Sequence, residues 1–404
     1  MITGRAWTFF VGAGVLYLFA NQTQVGWLYV MSALLAGVTL AGVWLSRGML
    51  KGFSAQRRVQ VTKSTQNRAG EGEYFEGDTL TVDLELHSSR GSSQLRVTET
   101  CPLAAPGDPY RAVRMFIPGL AANGAVRFSY DVRIDRRGLH EFPAVRMETS
   151  APFGFRQQQR DLAEPIRLLV YPEIHTLPRL DLLDRQLAPL VPRMQAGVGY
   201  EVMGVRPYRS GDSPRDIHWR SVARTGQLIV KEYADESQPG LTIALDTFAH
   251  DYPQTEEKHV PFEWAIKCAA SLGVYAQSRG YPLYLTGDAD VLPFPRGALT
   301  QDALLQYLAR LQPTGKTRFT PKAALGAFFA AILPFPDLAV IPPLIELQHQ
   351  RIAVLAVVID PASFPQAGPS AAKCIDSLRS AGIATCPIKF GEDWAIQLAE
   401  GQSR

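Results

Sequence analysis

From Ala6 to Ser46 the chain carries no charged side chain. Wound as helix, this run would extend roughly 60 Å, about two crossings of a ~30 Å hydrocarbon layer, which predicts a transmembrane hairpin over residues 1–52. The polar but uncharged Asn21-Gln22-Thr23-Gln24 falls near its middle, where a turn must emerge to hydrate its backbone, so a short first helix is expected over Trp7–Ala20. Trp7 and Trp44 would mark one interface, and Tyr17, Trp27 and Tyr29 the other. Ala33, Gly37 and Ala41, four apart, offer a flat face for helix contact. Arg5 precedes the run and Arg47, Lys51, Arg57 and Arg58 follow it, while the turn has no Lys or Arg. That asymmetry predicts a two-pass protein of the cytoplasmic membrane with both termini and the soluble domains in the cytoplasm. The basic cluster behind the second apolar stretch argues against a cleaved signal peptide.

Past Phe53 the period becomes two. TLTVDLEL at 79–86, QLRVT at 94–98 and VRFSYDVRI at 126–134 alternate apolar and polar residues as half-buried strands do. Turn signals at Glu76-Gly77-Asp78, Ser89-Arg90-Gly91, Pro106-Gly107-Asp108 and Asn123-Gly124 separate them, the rhythm of a small antiparallel β-sandwich, assigned to 53–175. Asp135-Arg136-Arg137-Gly138 reads as a hairpin turn with solvated arginines. Residues 176–240 hold a Leu- and Pro-rich connector, broken by Pro178, Pro189 and Pro192, and then a charged segment.

From 241 to 404 helix and strand alternate. Strands are expected at Leu241–Leu245, Pro282–Leu285, Leu338–Ile341, Ile352–Ile359 and Thr385–Ile388, with helices near Pro261–Arg279, Thr300–Leu311 and Ser370–Ala381. This pattern predicts an open α/β domain with a mainly parallel sheet, in which ligands gather at the carboxyl ends of strands, near Asp246 and Asp360. No GxxxxGK[ST] loop or GxSxG elbow occurs in the chain.

Composition narrows the classes. The 41 Lys plus Arg against 38 Asp plus Glu leave +3, too little in 404 residues for a general polyanion binder, so nucleic acid is not an expected partner. Four cysteines without a CxxC pair make neither a disulfide framework nor a zinc cluster.

The densest chemistry lies in GYEVMGVRPYRSGDSPRDIHWRSVARTGQLIVKEYADE at 199–236. Its arginines and Lys231 are interleaved with an equal number of carboxylates. A structural ion-pair network is one reading, with Trp219 offering a guanidinium a stacking face; a partner-docking or anion surface is the other. The residues concerned are Glu201, Arg206, Tyr208, Asp212, Arg215, Asp216, His218, Trp219, Arg224 and Lys231. His218 has no recognisable Ser or Cys nucleophile beside it, so a structural histidine is expected and no catalytic residue is assigned.

These residues closely resemble the signature of the bacterial domain of unknown function 58 family: G-x-E at Gly199 and Glu201, V-R-x-Y at Val205 to Tyr208, G-D at Gly211 and Asp212, R-D-I-H-W at Arg215 to Trp219, A-R at Ala223 and Arg224, and L-I-V-K at Leu228 to Lys231. RRGLHEF at 136–142 and APFGF at 151–155 also look like that family, which usually has aspartate where Ala151 stands here. The resemblance implies that the α/β domain is similar to von Willebrand factor type A domains, whose D-x-S-x-S loop holds a divalent metal. The matching loop here has Asp246, but Phe248 and His250 occupy the hydroxyl positions. A degenerate site is therefore expected, with no cofactor and no Mg²⁺. The resemblance further implies association with a MoxR-type AAA+ ATPase, and possibly a transglutaminase-like membrane protein. A membrane-anchored adaptor or scaffold that assists assembly or maturation of a client follows. The alternative is a hydrolase-like or metal-dependent enzyme using the signature residues.

Overall fold

The computed structural model describes residues 2–64, 73–187, 202–208, 217–233, 240–248, 259–286, 298–313, 326–366 and 368–400. Contacts divide the chain into two units, Met1–Glu173 and Ile174–Arg404.

The first unit opens with α1 (Gly4–Thr23) and α2 (Gly26–Leu45), two antiparallel helices of 20 residues each. The first helix is longer at both ends than the apolar pattern suggested: Asn21 to Thr23 stay helical, and the reversal is confined to Gln24, left-handed at φ 54°, and Val25. The helices meet through Ala6, Ala13 and Ala20, spaced by seven on α1, and the buried Leu28, Ser32 and Thr39 on α2. Ser32 Oγ donates to the Ala13 carbonyl at 2.8 Å, which fixes their register. Ala33, Gly37 and Ala41 point outward instead, because this packing uses the opposite stripe of α2. Of the two helices, only α2 meets the combined length and hydropathy expected of a membrane span, with mean hydropathy 1.9. Large apolar side chains of both helices are exposed, Trp7, Phe19, Trp27 and Trp44 among them.

The rest of this unit is built from β1 (Phe53–Lys63), β2 (Tyr74–Phe75), β3 (Thr79–Ser88), β4 (Ser92–Thr100), β5 (Ala112–Leu120), β6 (Gly124–Arg133), β7 (Gly138–Phe142), β8 (Val145–Thr149), β9 (Gln158–Leu162) and β10 (Ile166–Tyr171). They form sheets of order β1-β3-β6, β5-β4-β8-β9 and β2-β10-β7. Pairing is antiparallel except between β2 and β10. The alternation of β3 sends Leu80, Val82, Leu84 and Leu86 fully inward. Leu84 and Leu86 pack against β4, β5 and β8, while Leu80 and Val82 pack against β7 and β10. Asp135 to Gly138 is not a hairpin turn: β6 pairs with β3 and β7 with β10, so the link crosses between sheets. Arg137 is accordingly buried rather than solvated. Arg57 also leaves the basic flank of the helices, because it shares the inward parity of Phe53 on β1 and lies buried beside Glu99.

The second unit begins with residues 174–187, where the connector is firmly packed: Leu180, Leu183 and Leu187 around α3 (Asp181–Leu187) are fully buried. After β11 (Val202–Pro207), α4 (Trp219–Thr225) and β12 (Ile229–Tyr233) come β13 (Leu241–Leu245), α5 (Pro261–Ser278), β14 (Leu283–Thr286), α6 (Gln301–Arg310), β15 (Phe328–Leu333), α7 (Ile341–His349), β16 (Ala353–Ile359), α8 (Ala372–Ser380), β17 (Ala384–Ile388) and α9 (Trp394–Glu400). The five strands β14-β13-β15-β16-β17 form one parallel sheet, its interior strands nearly continuous apolar runs. Helix starts follow local chemistry: Pro261 occupies the first turn of α5, and Thr300 Oγ1 accepts from Ala303 N at 3.3 Å at the start of α6. The strand expected at Leu338–Ile341 is absent. Asp337 caps a 3₁₀ turn at Leu338–Val340, and Pro342 and Pro343 then sit in the first turn of α7, where their missing N–H groups cost nothing. The central strand is instead Phe328–Leu333, a short unbroken apolar run without alternation to mark it.

Candidate functional site

The signature segment folds around an antiparallel ribbon. β11 and β12 pair from Val202↔Tyr233 to Pro207↔Ile229, with an irregularity between Val202 and Gly204. This register sets Arg206 opposite Val230 and Lys231 opposite Val205. Ile217 bridges to Val230 on its other side, and both are buried, which anchors the ribbon. The His218 amide donates to the Ile229 carbonyl at 2.8 Å, so α4 starts next to the beginning of β12. Gly226, left-handed at φ 71°, ends α4 and returns the chain to the strand.

One end of this ribbon exposes apolar and cationic groups together. Tyr208 follows the last residue of β11, and its amide bonds to the Leu228 carbonyl at 2.9 Å. Trp219, next to His218, is 65% exposed, Leu228 48% and Tyr208 37%. Arg220 and Arg224 of α4 are exposed as well. Of the residues singled out by sequence, the ribbon therefore gathers Arg206, Tyr208, His218, Trp219, Arg224 and Lys231 into one local structure. Glu201, Asp212, Arg215, Asp216 and His250 lie outside the described residues.

Sequence reasoning missed a partner for His218. Its Nδ1 lies 2.7 Å from Ser221 Oγ, and the Ser221 amide also bonds the His218 carbonyl at 2.9 Å. The spacing of three residues within a helix's first turn brings the two together, a relation legible from sequence only once His218 is known to begin a helix.

The second candidate lies where the parallel sheet changes direction. Strand order reverses between β13 and β15, and Asp246 follows β13 at that point. Its amide bonds the Ile332 carbonyl at 3.2 Å and its Oδ1 accepts from Phe248 N at 3.1 Å, so the buried carboxylate closes an Asx turn. Asp360, after β16, is engaged similarly, its Oδ1 accepting from Ala371 N at 2.9 Å. Among the described residues no group of three or more His, Cys, Asp or Glu is placed to hold a metal ion.

The model of the family described as "Protein of unknown function DUF58" matches residues 204–328, from the signature ribbon to the start of β15. The match supports a relationship to that family across this part of the chain. No curated protein matches. Among solved structures, the chain is similar to Salmonella alpha-2-macroglobulin reacted with methylamine at 14% identity, over 30% of this chain and 9% of that one, with TM-score 0.23. It is similar to the structural-genomics target SoR45 at 11% identity, over 29% and 86% respectively, with TM-score 0.18. A beta-D-glucoside glucohydrolase of Trichoderma reesei follows at 16% identity, over 29% and 18%, with TM-score 0.15. Scores this low assign neither a fold nor an activity.

Proposed function

We propose that this protein is a membrane-anchored adaptor that docks a protein partner through its signature ribbon. The observation that carries the reading is the grouping of exposed Trp219, Tyr208 and Leu228 with Arg220 and Arg224 at one ribbon end, within the family match. Aromatic residues and arginine are the side chains that most often dominate protein interfaces. α1 and α2 form the anchor as a two-pass hairpin in the cytoplasmic membrane, with the chain ends and both units in the cytoplasm. The exposed apolar surface of the helices and the cations Arg5, Arg47 and Lys51 at their common end support this topology. The α/β region is read as similar to von Willebrand factor type A domains with a metal loop reduced to a structural turn. The partner is a MoxR-type AAA+ ATPase, acting on a client with or without a transglutaminase-like membrane protein.

Affinity capture of tagged full-length protein from gently solubilised membranes, with an ATP analogue present, tests the reading. Near-equal recovery of the ATPase by the wild type, and its loss with Trp219→Ala/Arg220→Glu, is expected. Recovery of the ATPase in equal amount by that variant would remove the ribbon as the docking site.

A second reading, hydrolysis by signature residues, draws on the 2.7 Å His218–Ser221 contact. Full cellular function in Ser221→Ala would set it aside.

A further inference from the structure

The end of α2 nearest the β-sandwich carries two adjoining depressions of opposite chemistry. The first, about 660 Å³, is lined by Arg47, Lys51 and Arg156 together with Gly48 and Gln157 to Gln159. It contains three cations and no carboxylate, and none of the three pairs with an acid among the described residues. The second, about 470 Å³, runs along α2 between Leu40, Ala41, Val43 and Trp44 and shares Arg47 with the first. The turn that lines the first is fixed. Gln158 Nε2 donates to the Ser46 carbonyl, and Arg160 Nη1 donates to the Leu50 carbonyl at 2.8 Å. These two bonds tie the turn after α2 to β9 and engage two carbonyls beside the basic depression. Arg156 is held by its own backbone bridge to Ile2 at the start of the chain.

We propose that these depressions form one site for an anionic phospholipid, with the phosphate-bearing headgroup among Arg47, Lys51 and Arg156 and an acyl chain along Leu40 to Trp44. The basic depression alone would suit any phosphate ester. The apolar groove joined to it at Arg47 fits a molecule that carries an anion and a hydrocarbon chain on one backbone. Trp44, 68% exposed, stands at the level where an indole prefers the boundary between headgroup and chain. The site rests on the membrane-anchor reading of α1 and α2, and makes the anchor selective for lipid charge.

The test uses full-length protein, delipidated in detergent and reloaded with phosphatidylglycerol or phosphatidylcholine, with retained lipid counted by native mass spectrometry. Preferential retention of phosphatidylglycerol is expected. At about fivefold per basic side chain near a membrane surface, three of them give a preference on the order of a hundredfold. Arg47→Gln/Lys51→Gln, both exposed, reduces the preference by more than tenfold, while Arg167→Gln, exposed on β10 and lining neither depression, leaves it unchanged. Equal retention of the two lipids by the wild type, or unchanged preference in the double variant, would overturn the proposal. So would displacement of the lipid by glycerol 3-phosphate at equal concentration, which would make the site one for a soluble phosphate ester. Alkaline carbonate extraction of native membranes separates the two claims. Protein that stays in the membrane but shows no lipid preference sinks the site alone, whereas protein released by carbonate sinks the anchor and the site with it.

Discussion

Arg57 and Glu99 meet at 2.8 Å inside the β-sandwich, with neither side chain exposed to solvent. Arg57 stands on β1 and Glu99 on β4, so the pair joins two different sheets. The guanidinium also donates from Nη2 to Glu99 Oε2 at 3.0 Å and to the Pro143 carbonyl at 2.8 Å, and lies 5.1 Å from the centre of the Phe142 ring. Burial outweighs the arginine's pull and holds the Glu99 carboxyl above its ordinary value. Desolvation offsets much of what such a pair gains, so replacing both partners together by apolar residues costs far less than breaking it.

Removing one partner leaves the other buried without its counter-group. Arg57→Met and Glu99→Leu should each cost about 3 to 5 kcal/mol, while the double variant should recover most of the loss. Urea titration of the detergent-solubilised chain, read by labelling of Cys101, measures all three. Additive losses in the double variant would show that the two residues act separately.

Cys101 is suited to that use because it is fully buried and burial raises its thiol. Cys268 and Cys374 are raised by the same cause, and Cys386 is pushed up to about 12. Thiolate is the reactive form, so Cys386 should carry roughly a thousandfold less of it at neutral pH than an ordinary thiol, besides being shielded. A disulfide reagent should leave all four unmodified until denaturant is added. Cys101 then reports the unit 1–173 and the other three the unit 174–404. Rapid labelling in native buffer would contradict the burial.

His140 makes the first unit sensitive to acid. Burial is the main influence and depresses its imidazole below the ordinary 6.5, and the ring reaches the Arg136 carbonyl from Nε2 at 2.9 Å, a bond the neutral ring makes as donor. A base depressed in the folded state lends stability above its unfolded value and loses it as pH falls from there through the folded value. Wild type should therefore lose stability below about pH 6.5 by more than His140→Gln does. Melting curves of both proteins between pH 5 and 8 decide this, and parallel curves would refute it.

How much of this was readable beforehand depends on period. Alternation placed β3 and β6 because one face of each meets a core, and the same parity, carried through Phe53, Ala55 and Arg57 or Leu95, Val97 and Glu99, already pointed the ion pair inward. Charge obscured it: Arg57 was grouped with flanking cations on the general rule that arginine stays wet. β15 was missed because FFAAIL, buried on both sides, has no period to read. At the ribbon, motif spacing marked the stretch where the family match begins. Which signature residues are exposed was not legible: the charges and Trp219 suited a buried ion-pair network as well as a docking surface, and Trp219 is 65% exposed.

Asp184 fastens α3 to α5. Its carboxylate accepts from Tyr275 Oη at 2.9 Å and Tyr281 Oη at 3.1 Å, all three residues being buried. Burial first and this carboxylate second push the Tyr281 phenol up to about 12. Asp184→Ala removes the acceptor of both hydroxyl protons, at about 1 to 3 kcal/mol each, although Tyr275 Oη still accepts from the Leu180 amide. Asp184→Asn keeps an acceptor and should cost clearly less. Denaturation read at Cys268 distinguishes them, and equal losses would show that charge, not hydrogen bonding, matters here.

Gly42 is where α2 touches the loop 151–157. A Cβ built there would lie 2.7 Å from Phe155 Cδ2 and 2.9 Å from Phe153 Cδ2. Phe153 is 53% exposed and can swing away; Phe155 cannot, because Phe9 packs on it at 5.2 Å and its carbonyl accepts from Thr3 N at 2.9 Å. Alanine would gain about 1 kcal/mol of helix propensity, but overpacking a fixed ring costs ~1 to 3 kcal/mol, so steric cost should win. Gly42→Val should be worse, adding volume and a branched Cβ. Phe155→Leu should relieve much of the Gly42→Ala penalty, since it removes the ring the new methyl meets. A double-mutant cycle on the melting temperature of the detergent-solubilised protein measures that coupling, which should exceed ~0.5 kcal/mol if the two side chains meet as described. Additivity would mean that α2 docks on the loop by some other contact.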